Sequence, residues 1–115
     1  MATISNKNSA PHNTWGNNCD SWVLADTAGL SVKEERMPPG TKEQLHFHKQ
    51  AQQYFYILKG TATFFFNDER DTISANTGIL IAPGTKHYIA NETTRELEFL
   101  VISQPSTNND RISIE

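Results

Sequence analysis

Short runs of β-branched and aromatic residues, or of strictly alternating apolar and polar residues, occupy most of the middle of the chain. Ser21–Asp26, Leu30–Met37, Gln44–His48, Tyr54–Leu58, Thr61–Phe66, Thr72–Ser74, Ile79–Ala82, Tyr88–Asn91 and Leu97–Ser103 each read as a strand. Between them lie residues that turn a chain: Ala28-Gly29, Pro38-Pro39-Gly40, Lys59-Gly60, Asn67-Asp68, Thr77-Gly78 and Pro83-Gly84. No window carries a useful length of amphipathic helix. Many short strands at regular spacing predict an all-β sandwich or closed barrel rather than a βαβ fold. No internal repeat is long enough for two barrels.

The two ends differ from the middle. Residues 1–18 are rich in Asn, Ser and Thr, and Gln104–Asp110 repeats that composition. The expected organisation is a flexible or interface-forming segment over 1–18, the barrel over 19–103 and a polar tail over 104–115. A total of 115 residues suits one domain. Net charge −3 argues against nucleic acid as a partner, which rewards basic patches. No stretch reaches the ~18 apolar residues of a membrane span, and Met1–Trp15 lacks the apolar run of a secretory signal. Cys19 stands alone, so no internal disulfide can form; it reads as a small packing residue. These features together suggest a soluble, cytoplasmic protein.

The strands offer more apolar positions than one interior can use. Opposite Gln53, the strand Tyr54–Leu58 shows Tyr54, Tyr56 and Leu58, and Thr61–Phe66 places Phe residues on both faces. A stripe of large apolar side chains in water is a liability. Covering by the N-terminal segment around Trp15 and Trp22, or pairing with a second copy, would remove it, so a homodimer is expected.

Candidate chemistry lies in the histidines. His46 and His48 are two apart on one strand, so their imidazoles share a face, with Gln53 nearby and His87 after the Pro83-Gly84 turn. Imidazoles suit Fe, Ni, Mn, Zn and Cu. His12 sits in the polar N-terminal tail with nothing beside it to make a site.

The spacing carries more than the residue types. Gly40, five residues, His46-x-His48, four residues, Gln53, six residues, Gly60 resembles the first cupin motif over its whole length. Asn76–Asn91, with Pro83-Gly84, two residues, His87, three residues, Asn91, resembles the second. The resemblance implies a small single-domain cupin, a double-stranded β-helix or jelly-roll barrel. It further implies one divalent transition metal held by His46, His48, Gln53 and His87. Three positions depart from the pattern. Asn76 replaces an opening glycine, but Asn tolerates the left-handed backbone. Ala82 stands at a usual proline. Gln53 replaces the usual glutamate, so the ion would keep its full double charge, bind less tightly and act as a stronger Lewis acid. A site that has lost its metal could also show Gln here; the three retained histidines favour the metal.

In such a barrel the metal lies inside, near one end. Sharing a face with the ligands predicts Phe55, Ile57, Ile89 and Asn91 as pocket-lining, with Phe99 and one of Trp15 and Trp22 as lids. On Leu30–Met37, one face runs Leu30, Val32, Glu34, Arg36. Its far end lies either at the solvated rim, the preferred reading, or in a polar pocket where Arg36 would clamp a carboxylate or phosphate. No general base can be assigned. The leading functional expectation is an enzyme of dioxygenase, isomerase, lyase or cyclase type acting on a small organic substrate. The alternative is a non-catalytic small-molecule or metal-binding protein. Fold alone does not decide, and no helix-turn-helix segment supports a regulator.

Overall fold

The computed structural model describes residues 1–66 and 68–115. Its strands are β1 (His12–Trp15), β2 (Cys19–Asp26), β3 (Ser31–Met37), β4 (His46–Phe47), β5 (Gln52–Lys59), β6 (Thr61–Phe66), β7 (Glu69–Ser74), β8 (Gly78–Ile81), β9 (His87–Ala90), β10 (Leu97–Gln104) and β11 (Ile112–Ser113). A six-stranded sheet runs β1-β2-β3-β10-β5-β8 and a five-stranded sheet runs β11-β4-β9-β6-β7. Every pairing is antiparallel, so the two sheets close over one core as a jelly roll.

The period-two pattern decides which side chains enter. On the six-stranded sheet, register places Phe55 beside Val101 and Val101 beside Lys33, with Ile57, Phe99 and Glu35 in the next row. Phe55, Ile57, Phe64, Ile89, Leu97 and Phe99 are buried together with Met37 and Cys19. Phe55 meets Phe64 edge-on at 5.0 Å and Phe99 at 5.9 Å. Such aromatic contacts add ~0.5–1.5 kcal/mol each beyond the area they bury. Cys19 is wholly buried, and burial pushes its thiol up, as suits a packing residue.

Turn residues act where expected. Gly60 (φ 87) reverses the chain between β5 and β6, where a Cβ would stand 2.5 Å from the Glu96 carbonyl oxygen. Asn76 takes φ 67, supplying the left-handed conformation for which glycine is the usual choice. Of the expected Asn67-Asp68 turn, Asn67 lies outside the described residues, while Asp68 takes φ 63.

The ends are more ordered than their composition suggests. β1 pairs along β2, and Lys7 reaches Glu34, Glu98 and the Trp22 ring across the outer face. At the other end, Ile112 pairs with Phe47 and Ser113 with His46, so the polar tail contributes a strand to the five-stranded sheet.

Candidate metal centre

β4 and β9 are neighbours, and their register sets His46 opposite His87. His48 lies just past the end of β4, where Gly84 donates its N–H to the His48 carbonyl at 2.7 Å. Gly84 (φ 79) permits that turn. The three rings gather with centroids 4.5, 5.0 and 6.0 Å apart, and one nitrogen from each lies within 4.8 Å of the others.

Hydrogen bonds choose which nitrogen faces inward. Nδ1–H of His46 donates to the Gln44 carbonyl at 2.8 Å, that of His48 to Asp110 at 2.8 Å and that of His87 to Thr85 at 2.7 Å. Each Nε2 is therefore left with a free lone pair. Burial pushes His46 down to about 3, and lowers His48 and His87; the Arg111 charge pushes all three the same way. All three imidazoles are thus neutral at physiological pH, as metal ligation requires. Gln53 donates Nε2–H to Ser103 Oγ at 3.1 Å, which leaves Oε1 over. His48 Nε2, His87 Nε2 and Gln53 Oε1 are all buried without a hydrogen-bond partner among the described residues. An orphaned buried acceptor costs ~1–3 kcal/mol, so three around one point form an arrangement that a cation would relieve. The residues fit a divalent ion with three nitrogens and one amide oxygen.

His46, His48 and Gln53 open onto a chamber of about 160 Å³, walled also by Phe55, Val101, Lys33, Glu35, Glu43 and Arg111. The last four also wall an outer chamber of about 390 Å³, next to Trp15 and Ser21. The four shared residues make the two chambers neighbours, and the outer one is the entrance side of the centre. Burial pushes Glu43 up to about 8 and raises Glu35, against the pull of Arg111 on both. Glu43 Oε1 accepts the Ile89 N–H at 3.1 Å.

The expected lining needs correction. Phe55 walls the inner chamber, but Ile57, Ile89 and Phe99 are core residues beneath it. Asn91 is a buried brace: its amide donates to the Met37 and Arg95 carbonyls and its oxygen accepts from Thr93. Arg36 lies on the outer face, bound to Asp20 at 2.6 Å and to Glu96. The alternation on β3 sends Ser31, Lys33, Glu35 and Met37 inward, hence Arg36 outward; Val32 faces out as well, beside Ile102. Of the two tryptophans, Trp15 borders the outer chamber, while Trp22 packs outside against a tilted His12 ring at 5.1 Å. Sequence reasoning missed Lys33, Glu35, Glu43 and Arg111. The polar parity of β3 was a readable signal for the first two, and the alternation Arg111-Ile112-Ser113-Ile114 for the last.

A two-sheet jelly roll with a three-histidine centre at one end defines a cupin. The family model described as "Cupin domain" matches residues 33–103, and the chain belongs to that family. An uncharacterised protein of Methanocaldococcus jannaschii is 30% identical over 84 residues, covering 73% of this chain and 67% of that protein. The oxalate-binding protein of Thermotoga maritima is 33% identical over 67 residues, covering 58% of this chain and 55% of that protein. The chain thus spans between about half and two-thirds of these curated relatives. Among solved structures, KdgF from Halomonas sp. superposes with a TM-score of 0.85 at 13% identity, covering 95% of this chain and 98% of that one, a likeness of fold.

Proposed function

We propose that the chain is a metal-dependent enzyme acting on a small oxygen-bearing organic molecule, with His46, His48, Gln53 and His87 holding one divalent transition ion. The observation that carries this reading is the convergence of buried, unpartnered donor atoms on His48, Gln53 and His87, the first two of which line a chamber. When bound, such an ion supplies a Lewis acid that polarises a carbonyl or enol oxygen. The chain's own residues supply the rest. Phe55 and Val101 exclude water from one wall. Glu43 uses Oε1 to accept the Ile89 N–H, leaving Oε2 free toward the entrance side that Arg111 occupies. A carboxyl raised to about 8 can hold a proton near neutral pH and exchange it with a ligand, which suits general acid–base work.

The second reading is a binding protein without turnover. The oxalate-binding name of the Thermotoga maritima relative favours it. The two separate by proton nuclear magnetic resonance in D2O. Metal-loaded protein is incubated with a panel of small 2-oxo acids and ketones, and deuterium is followed into the carbon next to the carbonyl. Metal-dependent exchange, lost in a His87→Ala variant, supports the enzyme. Saturable binding with no exchange and no consumption of any compound supports the binding protein.

A further inference from the structure

The entrance carries a charge arrangement that the metal centre does not explain. Arg111 and Lys33 wall both the inner chamber, which His46 and His48 also line, and the outer one, so a molecule held in either chamber lies against both cations. Arg111 is fixed by its backbone. Ile112 and Ser113 pair with β4, Ile114 N–H donates to the Leu45 carbonyl at 2.9 Å, and Asp110 is bound to the 49–51 loop. Yet its guanidinium is under-used. Its one ion pair among the described residues is with Glu43 Oε2 at 3.8 Å, too long for a hydrogen bond. Arg36 shows the contrast, with its fork bound to Asp20, Glu96 and the Asn18 carbonyl. A second donor lies idle nearby: Trp15, on the wall of the outer chamber, buries its indole Nε1 with no acceptor.

We infer that the ligand of this cavity is a small molecule with acidic groups at two ends, one at the histidine centre and the other a carboxylate received by Arg111 and Lys33. This rests on the metal-dependent reading above. The four candidate metal ligands are all neutral, so a bound ion keeps its double charge, and the two entrance cations add to the same field. The two acids that could offset them, Glu35 and Glu43, are disfavoured as anions by burial. A dianion spanning the chambers neutralises both centres at once. Arginine's planar fork suits a carboxylate, and an exposed guanidinium keeps its donors free until one arrives.

The test compares probes that share a chelating head and differ only in a distal carboxylate. Malate and 2-hydroxyglutarate are titrated against 2-hydroxybutanoate and 2-hydroxypentanoate, by calorimetry, into nickel-loaded protein and into an Arg111→Gln variant. Metal content is measured on the same samples. One charge-assisted contact predicts that at least one diacid binds about tenfold tighter, or more, than its monoacid counterpart. Arg111→Gln should bring the diacid-to-monoacid affinity ratio to within about twofold of one, whatever smaller change it makes to monoacid binding, with metal content measured alongside so that the ratio is compared at equal loading. Arg111 is partly exposed, so the variant should fold; Lys33→Gln, expected to halve the preference or more, is a second check. No diacid preference, or one that survives Arg111→Gln, overturns the inference. If neither protein retains metal, the metal reading fails separately. The carboxylate site is then judged on the metal-free protein by whether Arg111→Gln weakens diacid binding.

Discussion

The backbone carbonyl of Asp110 accepts the Nδ1–H of His48 at 2.8 Å, while the Asp110 carboxylate accepts N–H groups of Lys49, Gln50 and Ala51. One residue near the C-terminus thus orients a candidate metal ligand and clamps the loop that follows it. Partners of this kind fix the ring and its tautomer, and their loss costs ~10–100-fold in metal affinity. An Asp110→Ala variant should therefore release metal about tenfold more readily in competition with a chelator. It should also lose ~1–3 kcal/mol of stability in denaturant. Equal retention would show that strand β11 alone holds the carbonyl in place.

The same clamp has a pH dependence. Burial acts to raise the Asp110 carboxyl, but the loop N–H donors outweigh it and hold the group below its usual range. A depressed carboxyl contributes stability that is fully present above its unfolded value of ~3.9 and is lost as pH falls through the lower folded value. Unfolding of the wild type and Asp110→Asn followed from pH 6 downward should show the stability gap between them closing below about pH 4. A gap that stays constant to pH 2 would assign it to shape rather than charge.

Gln53→Glu should tighten metal binding, because a carboxylate adds a formal charge to the ligand set, and should raise the pKa of any metal-bound water. The Ser103 hydroxyl, which now accepts from Gln53, can turn to donate to the new oxygen. Chelator competition reads the first effect. Weaker retention in the variant would remove Gln53 from the ligand set.

Asn91 separates brace from pocket. Four hydrogen bonds converge on its buried amide, so Asn91→Ala should cost ~2–4 kcal/mol while the metal content of folded protein stays unchanged. Loss of metal without loss of stability would return Asn91 to the site.

The outer face of the six-stranded sheet carries an exposed apolar patch, from which a homodimer is predicted. Tyr54, Leu58 and Leu80 are 38%, 40% and 62% exposed there, and Tyr54 is the register partner of Leu80. Lys7 of the N-terminal segment pairs with Glu98 on β10, while Tyr54, Leu58 and Leu80 stay exposed, whereas Phe65 on the other sheet stacks on Tyr88 at 4.6 Å. Sedimentation at micromolar concentration should give twice the 12.9 kDa chain mass, and Leu80→Lys should shift it to the monomer. A wild-type monomer would leave the patch solvated.

Much of this was readable from the chain. All nine strands anticipated between Ser21 and Ser103 are present, some longer or shorter, because period-two burial and turn residues are local signals. The resemblance to the two cupin motifs implied the histidine cluster, although β4 is only two residues long. The alternation Arg111-Ile112-Ser113-Ile114 hints at strand β11, but its partner lies some sixty residues away, so the roles of Asp110 and Arg111 beside the histidines leave no local trace. For Arg36 the sequence leaves two readings, a solvated rim, which is preferred, and a polar pocket, and its ion pairs with Asp20 and Glu96 put it on the outer face. The outer face of that sheet is itself partly apolar, so hydrophobicity could not tell the two sides apart.

Whether His46, His48, Gln53 and His87 hold one ion is tested most directly by elemental analysis. Protein purified without a metal-chelating tag should carry about one divalent transition metal per chain, with nitrogen ligands at ~2.0–2.1 Å by X-ray absorption if the ion is zinc. The His46→Ala, His48→Ala double variant should carry essentially none. Metal-free wild type that takes up no Fe, Ni, Mn, Zn or Cu, or a double variant with undiminished content, would contradict it.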